Sequence, residues 1–252
     1  MKLLKSIIAF AILFVAANVN AQNKNNTQKP TIIFVHGLWA DGSSWSEVIP
    51  PLLASGYEVI SVQNPTSSLA EDVAYTKRAI DRAAGPVILV GHSWGGFVIT
   101  EAGNDPKVTG LVYVAALAPD KGETLPSLSA QAPAVELGKY MAQNNGYVTL
   151  TKDGVQKVFA QDLSATQQGV IYATQNAANG KVFADTVTEA AWKTKPSWYV
   201  VATSDKSIHP DLERFLAKRM KAKTIEVDAS HVVMISKPKE VLKMILEAAT
   251  HQ

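Results

Sequence analysis

Six short runs rich in apolar and β-branched residues punctuate the chain, at positions 31–35, 59–63, 87–90, 111–115, 198–202 and 224–227. Most lack polar alternation, which is how a strand reads when both of its faces are covered. Between them lie helical spacings: Leu69, Val73 and Ile80, then residues 97–102, and finally Val241, Leu242, Ile245, Leu246 and Ala249. Strand and helix in alternation require crossover connections. The expectation is therefore an α/β fold, a doubly wound, mostly parallel sheet of about six strands. In such a sheet, ligands bind at the carboxyl ends of the strands.

The rhythm breaks between about 119 and 196. Val135, Leu137, Tyr140 and Met141 are spaced as on a helix, residues 147–151 read as a strand followed by an Asp153-Gly154 turn, and neutral amides are frequent. Nearly eighty residues far exceed an ordinary crossover, and inserts of that length serve as lids or binding elements. We expect a mainly helical cap inserted in one α/β domain spanning 30–252.

The N-terminus reads as an address. Lys2 and Lys5 precede an apolar run over 7–17, and Val19-Asn20-Ala21 offers the small residues a signal peptidase requires, so cleavage is expected after Ala21. The run is shorter than the ~20 residues that cross a bilayer. The mature protein is thus expected in the periplasm or secreted, with no membrane association, after a polar leader over 22–29. Removing Lys2 and Lys5 takes the 24 basic residues to 22, equal to the 22 acidic ones, a balance that argues against nucleic acid as partner. The chain contains no cysteine, which excludes disulfides, thiolate metal sites and thiol nucleophiles.

Gly91-His92-Ser93-Trp94-Gly95-Gly96 follows the third apolar run directly and opens a helical stretch. It matches G-x-S-x-G. A serine at a sharp strand-to-helix bend adopts φ > 0, and flanking glycines let the neighbouring chain pass without a Cβ clash. A serine hydroxyl needs a base to take its proton. Of five histidines, His36 ends the first strand, His92 lies inside the bend, His251 is terminal, and His209 precedes Pro210 at a helix entrance. His231 remains, after the last strand and before the last helix. Asp205, just beyond the fifth run, is the first choice of acid to orient it, with Asp228, Asp120 and Glu123 as rivals. His36-Gly37-Leu38-Trp39 closes the first run, so the amide N–H groups of Leu38 and Trp94 are the expected oxyanion donors. Trp39, and also Trp45, Trp192 and Trp198, are available to line an apolar substrate pocket.

With these residues the chain resembles the α/β-hydrolase superfamily from Thr31 to Ala249. More narrowly, Phe34-Val35-His36-Gly37, Gly85-Pro86, the Ser93 bend and Ser230-His231 resemble bacterial hydrolases related to plant methylesterases and hydroxynitrile lyases. The resemblance implies a Ser-His-Asp esterase with a cap, no metal and no organic cofactor, acting on a small-molecule ester. The lyase members carry threonine where Gly37 stands and lysine where Val232 follows the histidine, so cyanohydrin cleavage is not expected. Dehalogenases and epoxide hydrolases have aspartate in place of Ser93. Lactone hydrolysis or cofactor-free perhydrolysis would use the same residues, and a ligand-binding protein would keep the fold without turnover.

Overall fold

The computed structural model describes residues 28–251, so the expected signal segment and most of the polar leader lie outside the described residues. The last leader residue, Lys29, lies against the body: its Nζ donates to the Ser55 carbonyl at 2.6 Å and sits 4.9 Å over the Tyr57 ring.

The sheet half of the chain runs β1 (Thr31–Val35), α1 (Ile49–Ala54), β2 (Val59–Val62), α2 (Leu69–Arg82), β3 (Val87–His92), α3 (Gly95–Ala102) and β4 (Val108–Val114). The cap follows, with α4 (Leu125–Ser129), β5 (Met141–Asn144), β6 (Tyr147–Leu150), α5 (Lys152–Gly154), α6 (Ala165–Thr174) and β7 (Ala178–Asn179). The chain then returns through β8 (Ser197–Ala202), α7 (Pro210–Arg219), β9 (Lys223–Val227), α8 (Val233–Ser236) and α9 (Pro238–Thr250). Six strands pair in parallel in the order β2-β1-β3-β4-β8-β9. All six expected strands are present. The central β1 and β3 are buried along their whole length, whereas the edge strand β9 is mostly exposed. Continuous apolar runs therefore mark the middle of the sheet best.

Strand order reverses beside β1, whose neighbours are β2 and β3. The loops leaving β1 and β3 thus diverge at their carboxyl ends and open a crevice there, where doubly wound sheets bind ligands. Helix α2 is held against this edge by a buried stripe of Leu69, Asp72, Val73, Thr76, Ala79 and Ile80, and Ser68 caps its start by accepting from Glu71 N at 3.2 Å.

The cap is more helical than extended, but it also contains a three-stranded antiparallel sheet, β5-β6-β7. Met141, read above as helical, begins β5. Asn145 (φ 49°) and Gly146 (φ 81°) take the left-handed conformations of a tight hairpin turn, which commits the flanking residues to strands. Asp153-Gly154 is not the turn: both residues lie in α5, where the Thr151 hydroxyl accepts from Gly154 N at 3.1 Å. A π-turn over Val155–Phe159 continues from α5 toward the sheet. Among the described residues, no helix is long and apolar enough to cross a membrane.

Candidate active site

Ser93 sits between β3 and α3 with φ 53°, a left-handed backbone that costs a non-glycine residue energy. Close packing maintains it. A Cβ on Gly91 would meet the Gly95 carbonyl at 2.6 Å, one on Gly95 would meet Val35 O at 2.4 Å, and one on Gly96 would meet Leu117 O at 2.0 Å. The bend is also clipped to the end of β4, since the Ser93 carbonyl accepts from Gly96 N at 2.9 Å and Leu117 N at 3.1 Å.

His231 follows β9 and is almost fully buried, at 1% exposure. Its Nδ1 donates to Asp205 Oδ2 at 2.5 Å. Asp205 Oδ1 accepts two amide hydrogens, from Ser207 N at 2.6 Å and Ile208 N at 3.0 Å. The carboxylate is therefore fixed by three donors. Because Nδ1 carries the proton shared with Asp205, Nε2 of the neutral ring presents its lone pair.

The loop bearing His231 is tied to the bend itself. His92 Nε2 donates to the His231 carbonyl at 2.9 Å, and the two rings lie 4.6 Å apart. Burial, with His231 nearby, holds His92 well below the usual histidine range, so it serves as a neutral strut. His36 is likewise lowered by burial; its Nδ1 donates to Gly37 O at 2.9 Å while Nε2 accepts from Asn64 N at 2.9 Å. The Ser93 hydroxyl, partly exposed, makes no hydrogen bond to a described residue, His231 included. Nucleophile and base commonly engage only when substrate closes the site.

Gly37 lies against the serine: a Cβ there would stand 2.6 Å from Ser93 Cβ. The next residue, Leu38, and Trp94 on the other side are buried, and among the described residues neither backbone N–H donates a hydrogen bond. Buried amide hydrogens rarely go unspent. Two of them beside one hydroxyl can receive an oxyanion.

The acids considered as rivals to Asp205 are engaged elsewhere. Asp228 accepts from Ser204 Oγ at 2.7 Å, Asp120 pairs with Lys193 at 2.5 Å, and Glu123 pairs with Arg219 at 2.8 Å. His209 caps α7, accepting from Asp211 N at 3.2 Å. Of the four tryptophans considered for a pocket, Trp39 reaches one. Trp45 packs on Phe34 in the core, Trp192 donates to Pro119 O, and Trp198 donates to Glu247 beneath α9.

Trp39, at φ 58°, donates from Nε1 to Val148 O of β6 and so bolts the β1 loop to the cap. Its ring meets Phe159 edge-on at 6.3 Å, and Phe159 lies 5.1 Å from the His231 ring. Beside them is a cavity of about 270 Å³ with a mixed wall, apolar at Trp39, Phe159 and Val232 and polar at Asp41, Glu47 and Gln167. The cap also holds the loops that bear His231 and Asp205: Asp162 accepts from Ser230 N at 2.8 Å, and Val158 O accepts from Ser207 Oγ at 3.0 Å.

Sequence reasoning missed Phe159, Asp162 and Asp72. The last is fully buried on α2, where it accepts Trp94 Nε1 at 2.8 Å and Thr66 N at 2.9 Å. Its signal was present, since an acid on the apolar stripe of an amphipathic helix must have buried donors to meet. Phe159 and Asp162 had none, because their partners are remote in sequence.

Known proteins agree with this architecture. The chain is 26% identical to the esterase PIR7B of Oryza sativa subsp. japonica, with 89% of this chain and 97% of the relative covered. It is 25% identical to putative methylesterase 19 of Arabidopsis thaliana, covering 88% and 98%. Among solved structures, a pyrethroid hydrolase from Sphingobium faniae JZ-2 superposes with a TM-score of 0.74 at 21% identity, over 88% of this chain and 98% of that one. A family model for alpha/beta hydrolases matches residues 32–244, from the first strand of the sheet into the last helix, and the chain belongs to that family.

Proposed function

We propose that this protein is a serine hydrolase of carboxylic esters, with Ser93 as nucleophile, His231 as base and Asp205 as the acid that orients it. His231 Nε2 takes the Ser93 proton as Oγ attacks the ester carbonyl, and the imidazolium that forms is stabilised by Asp205. The amide hydrogens of Leu38 and Trp94 receive the oxyanion. His231 then returns the proton to the departing alkoxide, leaving an acyl group on Ser93 that water removes by the same steps. The observation that carries the reading is the 2.5 Å His231–Asp205 bond anchored beside a serine at φ 53°.

The apolar part of the cavity wall, formed by Trp39, Phe159, Val170 and Val232, supports a small to medium apolar substrate group beside the ester, while Asp41, Glu47 and Gln167 on the same wall offer it polar contacts. The cavity's volume lies near the lower end of the roughly 300–1,000 Å³ usual for small-molecule pockets. Gly37 and Val232, which stand where the lyases carry threonine and lysine, support hydrolysis over cyanohydrin cleavage. We further read residues 1–21 as an export signal, which places the mature protein in the periplasm or medium; the N-terminal sequence of the recovered protein tests this, with residue 22 expected first.

The activity is tested with p-nitrophenyl acetate and butyrate, on the mature protein and on Ser93→Ala. A loss of at least about 10⁴-fold in kcat is expected. Equal rates would overturn the assignment.

A further inference from the structure

We propose that Glu213 is a positioning residue for the hydrolytic site, a buried carboxylic acid whose Oε1–H donates to Asp205 and holds that carboxylate against His231. The inference rests on the triad read above and extends it by one member.

Glu213 lies in the first turn of α7 and is fully buried. Its Oε2 accepts from Ala202 N at 3.0 Å, the amide at the end of β8. Its Oε1 is buried with no hydrogen-bond partner among the described residues, and the neighbouring acid that acts on it is Asp205, itself buried in the loop after β8. Two buried carboxyl groups that act on each other resist being ionised together, and a single proton between them removes the repulsion. Asp205 already accepts two amide hydrogens and the His231 N–H, while Glu213 accepts one. The proton therefore resides on Glu213. An O–H on Oε1 then gives that orphaned atom a partner and gives Asp205 a fourth donor.

The surroundings agree. The groups facing Glu213 are Asp205 from the loop after β8, Tyr199 from β8 and Arg214 on its own helix. Tyr199 donates its hydroxyl to the Ala116 carbonyl. Arg214 points outward, to Glu226 at 2.8 Å and Asp211 at 2.8 Å, and offsets the burial of Glu213 only in small part. A helix N-terminus favours an anion, but burial outweighs it, and with Asp205 adding to it pushes the Glu213 carboxyl well above the usual range. With both of its oxygens occupied, Asp205 has one orientation available, which sets the plane of the His231 ring and the direction of its Nε2.

The test compares the mature protein with Glu213→Gln and Glu213→Leu. Gln keeps a donor for Asp205 and an acceptor for Ala202 N; Leu fills the space with neither. Leu is expected to lose more than tenfold in kcat on p-nitrophenyl butyrate with KM little changed, and Gln to restore most of it. Gln should also flatten the alkaline fall in activity that the parent shows once Glu213 ionises against Asp205. A second readout needs no substrate. Because the folded state takes up a proton at Glu213, the ratio of the parent's unfolding constant to that of Gln should grow about tenfold per pH unit above pH ~4.5. Gln as impaired as Leu, or parallel stability curves for parent and Gln from pH 5 upward, would overturn the proposal. If the parent itself cleaves no ester, the hydrolase reading fails while the unfolding comparison still reports on Glu213.

Discussion

Asp72 is a carboxyl that folding buries without a cation, and replacing it by asparagine has a calculable consequence. Burial pushes its pKa from 3.8 up to about 6; hydrogen bonds from Trp94 and Thr66 oppose the rise, and Glu71 and Asp185 add to it. A shift of about two pH units corresponds to about 3 kcal/mol at ~1.36 kcal/mol per unit. The folded-state value is the higher one, so the contribution is fully present below pH ~3.8 and is lost as pH rises through about 6. An asparagine side chain at this position does not titrate. The stability of Asp72→Asn minus that of the parent should therefore increase by about 3 kcal/mol between pH 3.5 and 7, whatever the offset at the acid end. Urea unfolding at half-unit pH steps and constant ionic strength measures the difference. The same substitution loosens Trp94, which supplies a proposed oxyanion donor, so kcat should fall at neutral pH even as stability gains. A stability difference that stays flat across this range, or that declines with pH, would refute the assignment of a buried anion at this position.

Two further substitutions probe the site from other directions. Asp205→Asn places an amide where His231 Nδ1–H now donates, which favours the wrong tautomer, and kcat on p-nitrophenyl esters should drop by about 10⁴ with little change in circular dichroism. Gly96→Ala brings a Cβ within 2.0 Å of the Leu117 carbonyl, a backbone atom that cannot swing aside. Destabilisation of about 1–3 kcal/mol is expected, read as a melting temperature lower by roughly 2–4 °C per kcal/mol, with reduced activity because the serine bend shifts.

Local sequence carried the sheet and the bend at Ser93 because both depend on near neighbours. Strands β1 and β3 are buried on both faces, so their residues had to be continuously apolar, and the bend between β3 and α3 needs glycines wherever Cβ atoms would strike backbone. Chain order pointed to His231 and Asp205 among their rivals, since loops at the ends of parallel strands converge, and the structure pairs the two at 2.5 Å. The hairpin at Asn145-Gly146 was readable and was outweighed by a helical spacing that included Met141.

Tertiary structure alone decided what surrounds those residues. Phe159 meets His231 and Asp162 meets Ser230 across spans of about seventy residues, and the cap's approach to the sheet is set by packing rather than by any local pattern. The same holds for the two buried acids. Asp72 and Glu213 look like ordinary polar residues of amphipathic helices until the fold removes water from them and leaves Trp94 and Asp205 as their partners. A side chain's charge state depends on its solvent and neighbours, and these exist only once distant segments have met.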